Sequence, residues 1–165
     1  MTPRRQAFAP VVTPATRLLI LGSLPGEASL AAGRYYAHPR NQFWHLAGAV
    51  IGDPALPERN YADRLSALGA AGIGMWDTIA AARRRGSLDS AIRDAETAPL
   101  RALTDRLTML RGVAFNGATA ARIGRAALAG SGLALIDLPS SSPAHAAVTL
   151  AQKRERWMIC QDFLA

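Results

Sequence analysis

Cysteine and lysine are almost missing from this chain of 165 residues, since Cys160 is the only cysteine and Lys153 the only lysine. A single cysteine excludes an internal disulfide and any site built from four cysteines, such as an iron–sulfur cluster or a four-cysteine zinc site. The three histidines, His38, His45 and His145, are scattered without the spacing of metal ligands. We therefore predict a chemistry that uses no metal ion.

Long hydrophobic runs are also absent from the sequence. No apolar stretch approaches the roughly 20 residues that a membrane-spanning helix needs. Residues 1–16 contain two arginines but no apolar core of signal-peptide length, so we interpret them as a partly ordered N-terminal arm. The remaining residues, 17–165, are expected to form a single domain, and the protein is expected to be cytoplasmic.

Positive charge exceeds negative charge, and nearly all of it is carried by arginine. The 19 lysine and arginine residues against 12 aspartate and glutamate residues give a formal net charge of +7. Because the planar guanidinium group binds phosphate with two parallel hydrogen bonds, this composition favours a polyanionic partner, most simply a nucleic acid. The alternative is that a composition rich in arginine and alanine reflects coding bias alone.

Short apolar runs alternate along the chain with segments of helical spacing. This alternation predicts an α/β fold, a three-layer α/β/α sandwich around a short, mainly four-stranded parallel sheet, with ligands at the carboxyl ends of the strands. The predicted strands are residues 17–21, 73–76, 113–116 and 133–137, and the predicted helices are residues 39–51, 60–69, 98–110, 118–129 and 150–164.

Two basic segments are predicted to face solvent. The arginines of residues 83–85 are expected to form a solvated loop. In the last helix, which begins with a capping box formed by Thr149 and Gln152, Trp157 is expected to be buried and Lys153 to be exposed.

Residues 22–44, GSLPGEASLAAGRYYAHPRNQFW, follow the first predicted strand and are expected to form a long loop. Gly22 and Gly26 allow the backbone to approach a ligand such as a phosphate, while Pro25 shapes the turn between them. Tyr36, next to a second tyrosine, offers a flat ring. This loop is the first candidate for a functional site.

The end of this loop has the pattern of a helix start. We expect His38 near the N-cap and Pro39 at the first helical position, so that Asn41 lies in the first turn. The free N–H groups at such an end favour negative charge. The plain alternative is that Asn41 only satisfies these groups.

A second loop of unusual composition, residues 138–145 with the sequence LPSSSPAH, leaves the end of the last predicted strand. It contains too much proline and serine for regular structure. Familiar catalytic patterns are absent, including G-x-S-x-G, a Walker lysine and G-x-G-x-x-G after a strand.

The combination of motifs is more specific than any one of them. The sequence resembles the uracil-DNA glycosylase superfamily, and within it the branch of hypoxanthine-DNA (deoxyinosine) glycosylases. The resemblance covers nearly the whole chain and rests on GSLPG with YYAHPRNQFW, GIGMWDTI followed by RRRGSLDSAI, FNG and LPSSSPAH.

This resemblance implies a monofunctional DNA glycosylase that hydrolyses the N-glycosidic bond of a flipped, deaminated base in base excision repair, without a metal or any other cofactor. Hypoxanthine is the first expectation, with uracil and xanthine as alternatives. The partner would be double- or single-stranded DNA, without a membrane, and a monomer is the default. Because Lys153 lies near neither loop in sequence, a Schiff-base lyase is disfavoured.

Two departures from the other branches shape the expected mechanism. Leu24 stands where those branches have an aspartate or asparagine that handles the attacking water, and Leu138 stands where they tend to have a histidine or asparagine that contacts the base. The resemblance implies Asn41 as the catalytic residue instead. Its carbonyl oxygen can align a water molecule against C1′, since positioning and charge stabilisation suffice for an oxocarbenium-like transition state.

The resemblance also implies how the base is read. Tyr36 corresponds to the stacking aromatic residue, and Asp77 is placed to accept the N1–H of hypoxanthine, a proton that adenine lacks. Ser23 and Leu24 complete the expected base-binding set. The alternatives are that Tyr36 is a packing residue and that Asp77 caps a helix together with Thr78.

The second loop is expected to contact DNA through phosphate-binding serines and backbone N–H groups, with Leu138 or Pro143 pressing toward the vacated stack. Two other functions remain open, a nucleic-acid-binding module without excision activity and a small-molecule enzyme that holds a nucleotide on the GSLPG turn. The residues of this candidate DNA-binding loop are Leu138, Pro139, Ser140, Ser141, Ser142, Pro143 and His145.

Overall fold

The computed structural model describes residues 2–165, in which strands and helices alternate. The strands are β1 (Arg4–Gln6), β2 (Leu18–Gly22), β3 (Ile73–Asp77), β4 (Ile79–Arg83), β5 (Arg93–Thr97), β6 (Gly112–Asn116) and β7 (Ala134–Leu138). The helices are α1 (Glu27–Ala32), α2 (Phe43–Ile51), α3 (Tyr61–Ala71), α4 (Leu100–Arg106), α5 (Ala118–Leu128) and α6 (Leu150–Trp157), with 3₁₀ turns at Leu56–Glu58, Asp89–Ala91 and Met158–Phe163.

A parallel sheet of four strands in the order β3-β2-β6-β7 forms the centre of the molecule. All residues of β2 and β6 are buried, as expected for apolar strands covered on both faces. One face of the sheet packs on α2, α3 and α6, and the other packs on α4 and α5. The predicted α/β fold with a four-stranded parallel sheet is confirmed.

A second, antiparallel sheet in the order β1-β4-β5 was not predicted. The expected helix cap at Asp77 and Thr78 is wrong, because Asp77 ends β3 and β4 begins at Ile79. Residues 79–83 form a strand since their backbone pairs with β1 and β5. The N-terminal segment supplies β1, and Val11 pairs with Met75. These partners are distant in sequence, so no local pattern indicates them.

The segment before α2 also differs from its prediction. Residues 22–44 are not a continuous loop, because α1 lies within them. The helix predicted from Pro39 begins at Phe43, so Asn41 precedes the first turn. The side-chain Oδ1 atom of Asn41 accepts a hydrogen bond from the Phe43 N–H at 2.9 Å. The backbone N–H of Gln42 donates to the Ser141 carbonyl at 2.9 Å, and this tertiary contact replaces the expected helical turn.

The capping box of Thr149 and Gln152 at the start of α6 is present as predicted. Lys153 corrects the prediction for this helix, because it is 2% exposed. Trp157 is fully buried, and its indole N–H donates to the Pro139 carbonyl at 2.9 Å. Within residues 2–165, no helix has the length and apolar character required to cross a membrane.

Candidate active site

A cavity of about 490 Å³ opens at the carboxyl edge of the parallel sheet. The last residues of three strands, Gly22, Asp77 and Asn116, lie in its wall. Because parallel strands all end at the same edge, residues far apart in sequence meet there. The segments that follow β2, β4 and β7 and the start of α5 complete the wall.

Most of the site residues predicted from the sequence lie in this wall. Leu138 and Pro139 do not line the cavity. Leu138 is 4% exposed in the hydrophobic core, and Pro139 is buried beside Trp157, so neither can press toward a DNA stack from its present position. The residues in the wall are Gly22, Ser23, Leu24, Pro25, Gly26, Tyr36, Asn41, Asp77, Ser140, Ser141, Ser142, Pro143 and His145.

Tyr36 is held rigidly in the wall. Its ring stacks on Phe43 with 3.9 Å between ring centroids and an angle of 8° between the planes. The Trp44 indole N–H donates to its carbonyl oxygen, and its backbone lies in the left-handed region with φ of 53°. Burial, with a smaller contribution from Asp77, raises the pKa of the Tyr36 phenol, which therefore stays protonated. One face of the ring thus packs on the core while the residue borders the cavity.

Gly22 is required by the close approach of two of these side chains. A Cβ atom at this position would lie 2.8 Å from the Asp77 Oδ1 atom and 3.1 Å from the Tyr36 hydroxyl. Any side chain here would therefore displace one of them. Gly26 is similarly close to another loop, because its Cβ would lie 3.1 Å from the Ser87 hydroxyl. The groups closest to both glycines are thus side chains of this protein.

Asp77 is the most unusual polar group in the wall. It is 4% exposed, and its Oδ2 atom has no hydrogen-bond partner within residues 2–165. Burial, reinforced by the nearby Asp89 carboxylate and opposed by Arg84, raises the pKa of Asp77 to about 7. Since buried polar atoms in proteins are nearly always hydrogen-bonded, an unpartnered oxygen at a cavity indicates a place for a ligand donor.

Arg84 supports the turn at residues 22–26 from behind. Its side chain is completely buried and its guanidinium donates to the Pro25 carbonyl. It also lies 3.9 Å from the Asp89 carboxylate, which accepts a hydrogen bond from the Ser23 hydroxyl at 2.6 Å. The prediction that residues 83–85 form a solvated loop is therefore wrong at Arg84. Its partners come from the turn at residues 22–26 and from Asp89.

Asn116 is a residue of the wall that the sequence analysis did not single out. It is 9% exposed, and its amide N–H groups donate to the Tyr36 hydroxyl at 3.3 Å and the Ser141 hydroxyl at 2.9 Å. Its carbonyl oxygen accepts from the Ser141 N–H at 2.8 Å. Asn116 thereby joins the first loop to the second. Its position at a strand end before Gly117, in the FNG motif, was the available signal.

Asn41 lies in the cavity wall beside the second loop. Its carbonyl oxygen is occupied on one side by the Phe43 N–H, which fixes the direction of the amide. A carbonyl oxygen has two lone pairs, so a second hydrogen bond remains available for a water molecule. The neighbouring residue, Gln42, is bound to Ser141 of the second loop.

The wall also contains two histidines, His38 and His145, and the hydroxyl groups of several serines. Across the part of the chain that the structure describes, residues 2–165, no three His, Cys, Asp or Glu side chains are grouped so that they could hold a metal ion. The polar groups of the cavity are therefore hydrogen-bonding groups, with one buried carboxylate at the centre.

Comparison with known proteins identifies the family of this chain. The model of the uracil DNA glycosylase superfamily matches residues 9–163. A hypoxanthine DNA glycosylase of Methanosarcina barkeri is 44% identical over 114 residues, which are 69% of this chain and 72% of that protein. A second protein of that name, from Methanosarcina acetivorans, is 38% identical over 86% of this chain and 88% of its own length.

A solved structure agrees with this assignment. The solution NMR structure of a candidate uracil DNA glycosylase from Methanosarcina acetivorans superimposes with a TM-score of 0.86 and 34% sequence identity. The similarity covers 98% of this chain and 99% of that one. The chain therefore belongs to the uracil DNA glycosylase superfamily.

Proposed function

We propose that this protein is a monofunctional DNA glycosylase that removes hypoxanthine from DNA. The observation that carries the proposal is the unpartnered carboxylate oxygen of Asp77, buried at a cavity that also contains Tyr36 and Asn41. The names of the two Methanosarcina relatives support the same base. A volume of about 490 Å³ lies within the range of small-molecule pockets, which is ample for a single nucleotide base.

Asp77 supplies the discrimination in this proposal. Its ionised carboxylate accepts the N1–H of hypoxanthine, whereas adenine presents only a lone pair at N1 and would face the carboxylate without a proton. Leaving a buried carboxylate opposite a lone pair is costly, because neither group then has a partner. Uracil and xanthine also carry ring N–H groups, so Asp77 alone does not separate them from hypoxanthine.

Asn41 positions the water in this proposal. The oxygen of the water attacks C1′ and the water releases a proton to solvent, while the C1′–N bond breaks and the base leaves with the bonding electrons and takes up a proton from solvent. Positive charge develops on the sugar, and the amide oxygen of Asn41 both orients the water and stabilises that charge. Leu24 cannot do so, since it is 6% exposed and packs with Ile79 and Ala82.

The opening of the cavity would face the DNA. Ser140, Ser142 and His145 of the second loop and the apolar Leu88, which is 56% exposed, all line this cavity. With Leu138 buried, Leu88 and Pro143 are the apolar residues that we propose to contact the base stack. The proposal includes a monomer that acts in the cytoplasm, where DNA is accessible.

The test is to incubate the protein with duplexes that contain deoxyinosine, deoxyuridine or deoxyxanthosine and to measure abasic sites by alkaline strand cleavage. We expect cleavage at deoxyinosine and none at deoxyadenosine in the same sequence. Tight binding of the deoxyinosine duplex without abasic sites would overturn the proposal and favour the binding-module alternative. The apolar Leu24, at the position where other branches place a polar residue, is the feature consistent with that alternative.

A further inference from the structure

A second cavity, of about 390 Å³, lies beside the candidate active site. The two cavities share Pro143 and His145, so the second loop separates them. The opposite wall is formed by Arg40 and Gln42, just before α2, and by Lys153 of α6.

Lys153 is the unusual group of the second cavity. It is 2% exposed, and its ammonium donates one hydrogen bond, to the side-chain oxygen of Gln42 at 3.0 Å. An ammonium group has three N–H donors, so two remain for a ligand. Burial lowers the pKa of Lys153, which reflects the cost of keeping a charge away from water beside a neutral partner.

The rest of the cavity wall favours an anion. It contains the guanidinium of Arg40 and the imidazole of His145 but no carboxylate. The Arg40 side chain is exposed and forms no salt bridge with the residues that the structure describes, 2–165. The N-terminal end of α6, which is capped by Thr149, borders the same space and adds partial positive charge from the helix dipole.

We infer that the second cavity binds a backbone phosphate of the DNA strand whose nucleotide enters the candidate active site, with Lys153 and Arg40 as its ligands. The identity of that strand rests on the proposed function, whereas the anion site rests on the charges of the cavity. A phosphate there supplies the counter-charge that Lys153 lacks and holds the strand against the second loop. Gln42, the partner of Lys153, is next to Asn41, so the same contact would align the sugar with the attacking water.

The salt dependence of DNA binding tests this inference without requiring excision. The variants are Lys153→Met and Arg40→Gln, with Arg106→Gln as the charge-matched control. Arg106 is exposed at the end of α4, just before β6 starts, and so lies toward the edge of the sheet opposite the cavities. Affinity for an undamaged duplex is measured as a function of salt concentration for each protein.

Each lost phosphate contact should reduce the slope of the logarithm of affinity against the logarithm of salt concentration by about 0.9. We expect this reduction in Lys153→Met and in Arg40→Gln but not in Arg106→Gln. Thermal unfolding of each variant checks the fold, and Arg40→Gln provides a surface substitution that should leave it intact. Slopes equal to the parent value in both cavity variants would overturn the inference.

A second experiment locates the phosphate. Single neutral methylphosphonate groups are placed in turn along a strand that carries 2′-fluoro-deoxyinosine, which binds but resists cleavage. At one position next to the lesion, the methylphosphonate should lower the affinity of the parent protein. The same replacement should not lower the affinity of Lys153→Met any further, because that variant already lacks the contact. If no position shows this coupling while the parent still excises hypoxanthine, the inference fails and the proposed function stands. If the slopes change as expected but no protein excises a base, the anion site stands and the proposed function fails.

Discussion

Two buried cations flank the candidate active site, and they differ in their partners. Arg84, behind the first loop, donates to the Pro25 carbonyl and faces the carboxylate of Asp89. Lys153, beside the second loop, is bonded to the neutral amide of Gln42. Arg84 therefore has a counter-charge nearby, although its Nε atom has no hydrogen-bond partner, whereas Lys153 forms no salt bridge within residues 2–165. The difference indicates that one cation holds the loop in place, whereas the other is available to a ligand.

The largest expected effect comes from replacing each of the two buried cations, Arg84 and Lys153, in turn. Arg84→Met leaves the Pro25 carbonyl and the half-exposed Asp89 without their partner, so we expect the free energy of unfolding to fall by about 3 kcal/mol. Lys153→Met removes a buried charge that has no ionic partner, and its effect should stay within about 1 kcal/mol. Urea unfolding of both variants measures the difference. Equal losses would show that both cations are structural.

Asn41 lies on the same side of the site as Lys153, and its replacement should affect base excision but not DNA binding. Asn41→Ala should lower the single-turnover excision rate of deoxyinosine by roughly a hundredfold, because the water loses its positioning group. Affinity for the 2′-fluoro-deoxyinosine duplex should remain within about threefold of the parent. Asn41→Asp should retain more activity than alanine, since a carboxylate also aligns water. Excision by Asn41→Ala at the parent rate would move the water to another residue.

Asp77 tests the side of the site that contains Arg84, because the charges of these two side chains interact. With the pKa of Asp77 at about 7, the carboxylate is ionised above that pH and protonated below it. If only the ionised form accepts the N1–H, excision should fall about tenfold per pH unit below about pH 6. Asp77→Asn should show a much flatter profile, whereas His38→Gln should keep the parent pH dependence.

The raised pKa of Asp77 also affects stability. Its effect has the opposite sign to that of an ordinary paired carboxylate. The folded protein binds the proton of Asp77 up to about pH 7, whereas an unfolded chain releases it near pH 4. The free energy of unfolding should therefore decrease between about pH 4 and pH 7 through this group. Asp77→Asn should lessen that decrease in urea titrations. An unchanged profile would contradict the raised pKa.

The smallest expected effect concerns Leu88 at the cavity opening. Leu88→Ala should weaken binding of the lesion duplex by about 1 kcal/mol, since the exposed side chain loses its contact with the base stack. Met109, 46% exposed in the segment before β6, is the matched control, and Met109→Ala should leave affinity unchanged. Fluorescence anisotropy at a single salt concentration compares the two. Equal affinities for both variants would remove Leu88 from the DNA-contact surface.

The outline of this protein follows from local sequence patterns. The apolar runs near residues 18–21 and 113–116 and the helical spacing between strands predicted the parallel sheet, and the sheet edge explains why residues 22–26 and 140–145 share one cavity. The order of motifs along the chain also predicted the family. These features depend on periodicity and on short motifs, which are properties of neighbouring residues.

The environment of individual polar side chains was decided only by tertiary structure. Asp77 has the sequence context of a helix cap, yet it pairs with Gly22 of β2 at the end of a strand and is buried, and the residues that follow pair with β1 instead of forming a helix. Arg84 and Lys153 both occur in basic segments whose sequence pattern predicts exposure to solvent. Each is nevertheless buried by segments that are distant in sequence. Burial of a charge depends on which partners the whole fold brings to it, and a local pattern contains no record of those partners.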